Sequence, residues 1–181
     1  MKNFTRIGMF DYEPATLEIN QYNLWNWFNL RRLFPTSGHY DVDDIVLRFH
    51  PVQDRLITQD SVFNTNTTVS YFPWFLFREV KKLVLKHKPK GHAVGRVVIA
   101  MLRPGGIISR HTDEGSYADN HSRYHFVLHS NPHCTFICGN EAVKMQAGEI
   151  WTFNHKKEHE VINADTENPR VHIIADYRET K

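Results

Sequence analysis

The second half of the chain admits few folds, because residues 93–178 break into short runs of Val, Ile, Phe, Tyr and Trp separated by turn residues at spacings of about ten. The runs fall at residues 94–102, 124–129, 135–138, 149–153, 159–163 and 170–177. Between them stand Pro104-Gly105-Gly106, Asn131-Pro132, Gly139-Asn140, Ala147-Gly148 and a polar stretch ending at Pro169, all built from residues that favour turns. Evenly spaced short strands without an interposed helical period predict two facing sheets. The expectation is a mainly β protein with helices, whose core at residues 93–178 is a double-stranded β-helix, a cupin-like jelly roll.

Residues 1–92 read as a helical and loop part packed on that core. Aromatic residues crowd positions 17–34, including Trp25, Trp27 and Phe28, and Pro35 just beyond predicts a helix that stops before it. Residues 36–70 are rich in Asp, Asn, Thr and Ser, which predicts loops around one or two short strands near the apolar run at 45–49. A clearer helix is expected over residues 73–88, where Pro73 suits the first turn and Trp74, Phe77, Val80 and Val84 recur at helical spacing. Its lysines read as an ordinary solvated face.

With 181 residues the chain fits one domain, 1–181, and 41% apolar with 23% charged residues is a globular balance. A formal net charge of +2 gives no field that would argue for a nucleic-acid partner. No apolar run approaches the roughly 18 residues needed to cross a membrane, so no membrane partner and a cytoplasmic location are expected. Cys134 and Cys138 would sit roughly 13 Å apart on one strand face, too far for a disulfide, and read as buried thiols.

The chemistry concentrates at His111 and Asp113. They follow a strand and a Pro-Gly-Gly turn, and a spacing of two puts both side chains on one face of extended backbone. His159 opens a later run, which a jelly roll would bring across the barrel mouth. Two histidines and a carboxylate on one face of iron(II) leave positions open for a keto acid and dioxygen, as non-haem oxygenases require. Alone, a His-x-Asp pair is a weak signal, since most are surface hydrogen bonds. Arg170, at the start of the last run, strengthens it: an inward guanidinium can clamp a carboxylate at two points, and 2-oxoglutarate carries one remote from the metal. On spacing alone, a salt bridge from Arg170 to Asp165 or Glu167 is an equal reading.

The runs MLRPGGIISRHTDEG, SRYHFVLHS, GEIWTFNHKKEHEVIN and PRVHIIADY, in this order, resemble the aspartyl/asparaginyl β-hydroxylase family of 2-oxoglutarate oxygenases over residues 94–178. The resemblance implies that iron(II), 2-oxoglutarate and O2 are used, that His111 and His159 are iron ligands, and that Arg170 binds the distal carboxylate of the cosubstrate. It also implies that Arg123 and His125 lie beside the metal and contact the carboxylate next to the keto group. Two positions depart from the family's animal peptide hydroxylases. Glycine stands there in place of Asp113 and iron has no protein carboxylate; here an aspartate beside a cation would be left unpaired unless it binds it. The serine that helps hold the distal carboxylate aligns with Ala100.

Arg123 and His125 alternate with Tyr124 and share a face, and polar residues inside a barrel need a partner to justify burial. His129 and His172 read as outward or satisfied, and His39, His50, His87, His92, His121, His133 and His155 as surface residues. The loop from Glu114 to Ser122 reads equally as a lid over substrate or a plain connection. Arg103 is a candidate for an anionic substrate group, and Trp151 and Phe153 belong to the core. The leading function is hydroxylation of a C–H bond in an amino acid, a peptide side chain or a related small metabolite. One alternative is a nucleic-acid demethylase-type oxygenase, weakened because position 176, where a second arginine would stand, is Asp176. The other is a non-catalytic metal-binding cupin-like module.

Overall fold

The computed structural model describes residues 2–26, 28, 37–52 and 59–180. Strands dominate, and they form two antiparallel sheets. The larger has seven strands: β1 (Phe4–Met9), β2 (Val42–Phe49), β3 (Val69–Ser70), β4 (His92–Leu102), β6 (Ser122–His129), β9 (Glu149–Phe153) and β11 (Arg170–Glu179), in spatial order β1-β9-β6-β11-β4-β2-β3. The smaller has four: β5 (Ile107–His111), β7 (Cys134–Cys138), β8 (Glu141–Val143) and β10 (His159–Asn163), in order β5-β10-β7-β8. From β4 onwards the chain passes back and forth between the sheets, broken only by the hairpin of β7 and β8, which is the double-stranded β-helix expected from the spacing of the runs. The runs at 149–153 and 159–163 are reproduced at their ends, and the others lengthen by one to a few residues.

Alternation along each strand sorts side chains into two cores. Outward residues of the large sheet, among them Val97, Ile99, Phe126, Leu128, Ile173 and Tyr177, pack against the helices. Inward residues, including Leu102, Val127, Phe136, Phe153 and Val161, fill the space between the sheets. Phe153 is a core residue as expected, and Trp151 packs half-buried at its edge. Cys134 and Cys138 are buried free thiols on β7. No helix among the described residues is long and apolar enough to cross a membrane.

The N-terminal part is more strand-rich than a helical and loop reading allows. β1 pairs with β9 and β2 with β4, so residues from this part extend the large sheet on both sides. β2 contains the short strand expected near 45–49 and runs further back, with Val42 to Leu47 all buried, Asp43 and Asp44 included; β1 was not expected. The expected helix at 17–34 instead begins earlier: α1 spans Glu13–Tyr22, with Pro14 in its first turn and Asn23 ending it at a φ of 44°. Trp27 and residues 29–36 lie outside the described residues.

The single helix expected at 73–88 is two, α3 (Phe72–Leu76) and α4 (Arg78–Lys86), separated by Phe77 at ψ 86°. The break exposes the first amides of α4, and Glu18 of α1 accepts from the N–H groups of Arg78, Glu79 and Val80 at 2.6, 2.9 and 3.1 Å. A carboxylate there both satisfies orphan donors and complements the positive helix end. Phe77, at the break, is fully buried in the outer core. Glu18→Ala should therefore lower the free energy of unfolding by about 1 kcal/mol, measured by urea denaturation, with the loss confined to docking of α4 rather than to the barrel.

Candidate active site

Strand pairing builds the site. β5 and β10 place His111 directly opposite His159, with ring centroids 4.3 Å apart. Each ring has Nδ1 against a main-chain carbonyl two residues back: Ser109 at 2.6 Å for His111 and Lys157 at 2.8 Å for His159. Nδ1 therefore carries the proton and Nε2 presents a lone pair, the form in which imidazole ligates a metal. Asp113 follows two residues later, just past the end of β5, with its N–H bonded to the His155 carbonyl at 3.0 Å. Its Oδ1 stands 3.8 Å from His111 Nε2. One donor atom from each of His111, Asp113 and His159 lies within 4.8 Å of the others.

The second oxygen of Asp113 is held by Arg123, whose Nη1 donates to Oδ2. The other face of that guanidinium is gripped by Asp176, with Nε and Nη2 bonded at 2.9 and 3.1 Å. Burial opposes the charge on Arg123, but Asp113 and Asp176 hold its pKa above the ordinary value. Burial likewise works against the Asp113 carboxylate, yet Arg123 and the neighbouring histidines pull its pKa far below the usual range. Asp113 is thus an ionised acceptor with one oxygen committed and one facing the histidines.

Arg170 lies deeper, 2% exposed, at the start of β11. Neither Asp165 nor Glu167 reaches it: Asp165 instead caps its own turn through Glu167 and Asn168. Among the described residues no carboxylate pairs with Arg170, and burial lowers its pKa to about 10. Its hydrogen-bond partner is a histidine, His172, with Nη2 to Nδ1 at 2.8 Å. His125 lies beside both, 3.2 Å from His172 Nδ1. Phe136 spans the interval, its ring 6.2 Å from that of His159 and 5.6 Å from the Arg170 guanidinium carbon. Phe153 stands alongside, 5.0 Å from His159 and 5.4 Å from His125.

Several side chains differ from their expected places. His172 is fully buried inside the barrel, not outward, whereas His129 is exposed. His155, His121 and His50 are buried rather than superficial. His155 is 3.5 Å from Asp113 Oδ2, and burial and Arg123 lower its pKa to about 4. Arg103 is committed to Asp43 at 2.9 and 3.1 Å, so no free cation stands there for substrate. The lid reading of 114–122 gives way to a tethered helix, α5 (Gly115–Asn120). Tyr117 in it is buried and accepts from the Arg96 N–H at 2.8 Å. Gly115 adopts a φ of 87°, and a Cβ there would meet the Phe63 carbonyl at 2.5 Å, so α5 packs closely on its neighbour α2 (Gln59–Asn64).

The fold is that of 2-oxoglutarate oxygenases. Similar solved structures include an oxidoreductase of the 2OG-Fe(II) oxygenase family from Burkholderia pseudomallei, 12% identical with a TM-score of 0.56, covering 79% of this chain and 70% of that one. The viral collagen prolyl hydroxylase of Paramecium Bursaria Chlorella virus-1, in its 2OG complex, is 11% identical with a TM-score of 0.55, covering 99% and 97%. A Trichoplax adhaerens prolyl hydroxylase, in complex with a hypoxia inducible factor peptide fragment, is 14% identical with a TM-score of 0.57, covering 98% and 84%. No curated protein matches by sequence. The profile of the aspartyl/asparaginyl β-hydroxylase family matches residues 76–180, more than half of the chain, and the chain belongs to this family. It is an iron(II)- and 2-oxoglutarate-dependent oxygenase that uses O2.

Two measurements follow from this geometry. Asp176→Asn should weaken metal binding by about 10- to 100-fold, read by chelator competition, because Arg123 then loses the anchor through which it orients Asp113. The metal-free protein should also melt at lower temperature as pH falls from 6.5 towards about 4. Burial holds His155 and His159 neutral in the fold, and an unfolded chain takes up protons below 6.5, so stability present above that pH is lost on acidification. A melting temperature flat across that window would contradict the buried neutral histidines.

Proposed function

We propose that the enzyme hydroxylates a C–H bond of an amino acid, a peptide side chain or a related small metabolite, with release of succinate and CO2. The observation that carries the reading is Arg170: a buried cation without a carboxylate partner among the described residues, beyond an aromatic wall from the His111–Asp113–His159 cluster. Burying a guanidinium without a counter-charge is costly unless a ligand supplies the anion.

The donor set fits iron(II). His111 and His159 would bind through Nε2 and Asp113 through Oδ1, a two-histidine, one-carboxylate face that leaves the remaining positions open. When bound, iron(II) with 2-oxoglutarate and O2 supplies the oxidising chemistry, which is the cofactor's and not the protein's. The chain's own residues bind, orient and exclude water. Arg170 would hold the distal carboxylate, and Phe136 and Phe153 would wall the space between it and the metal ligands. Arg123 retains N–H groups beyond those given to Asp113 and Asp176, and with His125 it faces the carboxylate beside the keto group.

A prolyl hydroxylase of similar fold is in complex with a peptide fragment. This supports keeping peptide side chains in the substrate class beside free amino acids. Succinate formation above the substrate-free background, across candidate amino acids and peptides, tests the reading. His111→Ala and His159→Ala should each reduce that stimulated turnover at least ~10³-fold, the scale expected when a metal-dependent step is lost. Substantial activity in either variant would sink the assignment. Asp113→Ala should weaken iron affinity and leave less turnover than the parent, and unchanged affinity would remove Asp113 from the ligand set.

A further inference from the structure

We propose that His172 is a second binding residue for the distal carboxylate, donating to it from Nε2. The inference rests on the reading of Arg170 as the carboxylate clamp. A guanidinium only donates hydrogen bonds, so the 2.8 Å contact from Arg170 Nη2 makes His172 Nδ1 an acceptor. The single proton of a neutral ring must then sit on Nε2. His172 is 0% exposed and burial holds it neutral, with Arg170 and His125 adding to the effect. That Nε2–H has no partner among the described residues.

Leaving a buried N–H without an acceptor forfeits its hydration for nothing, and native cores almost always satisfy such groups. Its surroundings offer no remedy. Across the ladder stands Ala100, which carries no polar side-chain atom, and the adjoining His125 already meets His172 through the opposite edge, Nδ1 to Nδ1. The same cavity wall therefore presents an unpaired cation and an unpaired neutral donor, two residues apart on one face of β11. Two such groups together are complementary to one carboxylate, with Arg170 giving charge and His172 a directed hydrogen bond.

The test uses zinc(II)-loaded protein, which binds without turnover, and calorimetric titration with 2-oxoglutarate and with 2-oxopentanoate, its counterpart with a methyl group replacing the distal carboxylate. The ratio of the two affinities reports contacts to that carboxylate alone. His172→Asn keeps an acceptor for Arg170 but does not reach the Nε2 position, and should lower the ratio by about tenfold. His172→Gln carries an N–H to that position and should hold the ratio within about threefold of the parent. In the unmutated protein, the His172 imidazole N–H resonance should move downfield on addition of 2-oxoglutarate and stay in place with 2-oxopentanoate.

A parental ratio in His172→Asn, an equal loss of both ligands, or an N–H resonance indifferent to 2-oxoglutarate overturns the proposal. Arg170→Met separates the two levels of the argument. If it collapses the ratio while His172→Asn does not, only the role of His172 falls. If Arg170→Met retains the parental ratio, the clamp itself is wrong and the role of His172 falls with it.

Discussion

The inner face of β11 carries charge and imidazole where aliphatic side chains would be cheaper to bury. Arg170, His172 and Asp176 all enter the space between the sheets from this one strand, and Ile174 supplies its apolar contact. The strand can bear that cost because it is the most heavily paired element, hydrogen-bonded along its length to β4 on one side and β6 on the other. Its opposite face contributes Ile173, Ala175 and Tyr177 to the outer core, with the Tyr177 hydroxyl donating to the Val84 carbonyl of α4 at 2.7 Å. Apolar burial on one face thus offsets polar burial on the other.

The two ends of that polar row differ in how their charges are met. At the metal end Arg123 is enclosed by two carboxylates, so the protein neutralises its own cation and leaves Asp113 ionised and oriented. At the far end Arg170 meets only imidazoles, both held neutral by burial. A protein built for stability alone would supply a carboxylate there. The asymmetry is what the proposed function needs: the near end is finished by the fold, and the far end keeps its cation for the carboxylate of the proposed cosubstrate contact.

Most of the barrel was legible because half-buried antiparallel strands impose an alternation that Gly, Pro and Asn then punctuate. The His111–Asp113–His159 set was legible for the same reason, since a spacing of two on a strand fixes a common face. What was hidden depends on partners distant in sequence. Nothing in the local pattern of Arg103 announces Asp43, and His155 is buried only because the turn after β9 folds under Asp113. The break at Phe77 escaped notice because helical periodicity runs straight through it, while the capping carboxylate comes from Glu18 in another helix. His172 was missed because a histidine in a strand is ambiguous until the register is known. The run RVHIIAD alternates polar and apolar residues imperfectly, and the irregularity between Ala175 and Tyr177 shifts it further.

Register also gives physical meaning to the departure at Asp113. Where the animal relatives carry glycine, this chain places a carboxylate whose second oxygen is tied through Arg123 to Asp176. A lone aspartate added beside the histidines would gain freedom to rotate and would need desolvation on meeting a cation. Here the desolvation has already been met during folding, and the side chain is oriented with Oδ1 towards the histidines. The carboxylate of Asp113 is thus built onto an existing cross-strand pair, since Arg123 and Asp176 stand opposite each other on β6 and β11, while Ala100 faces His172 across the ladder.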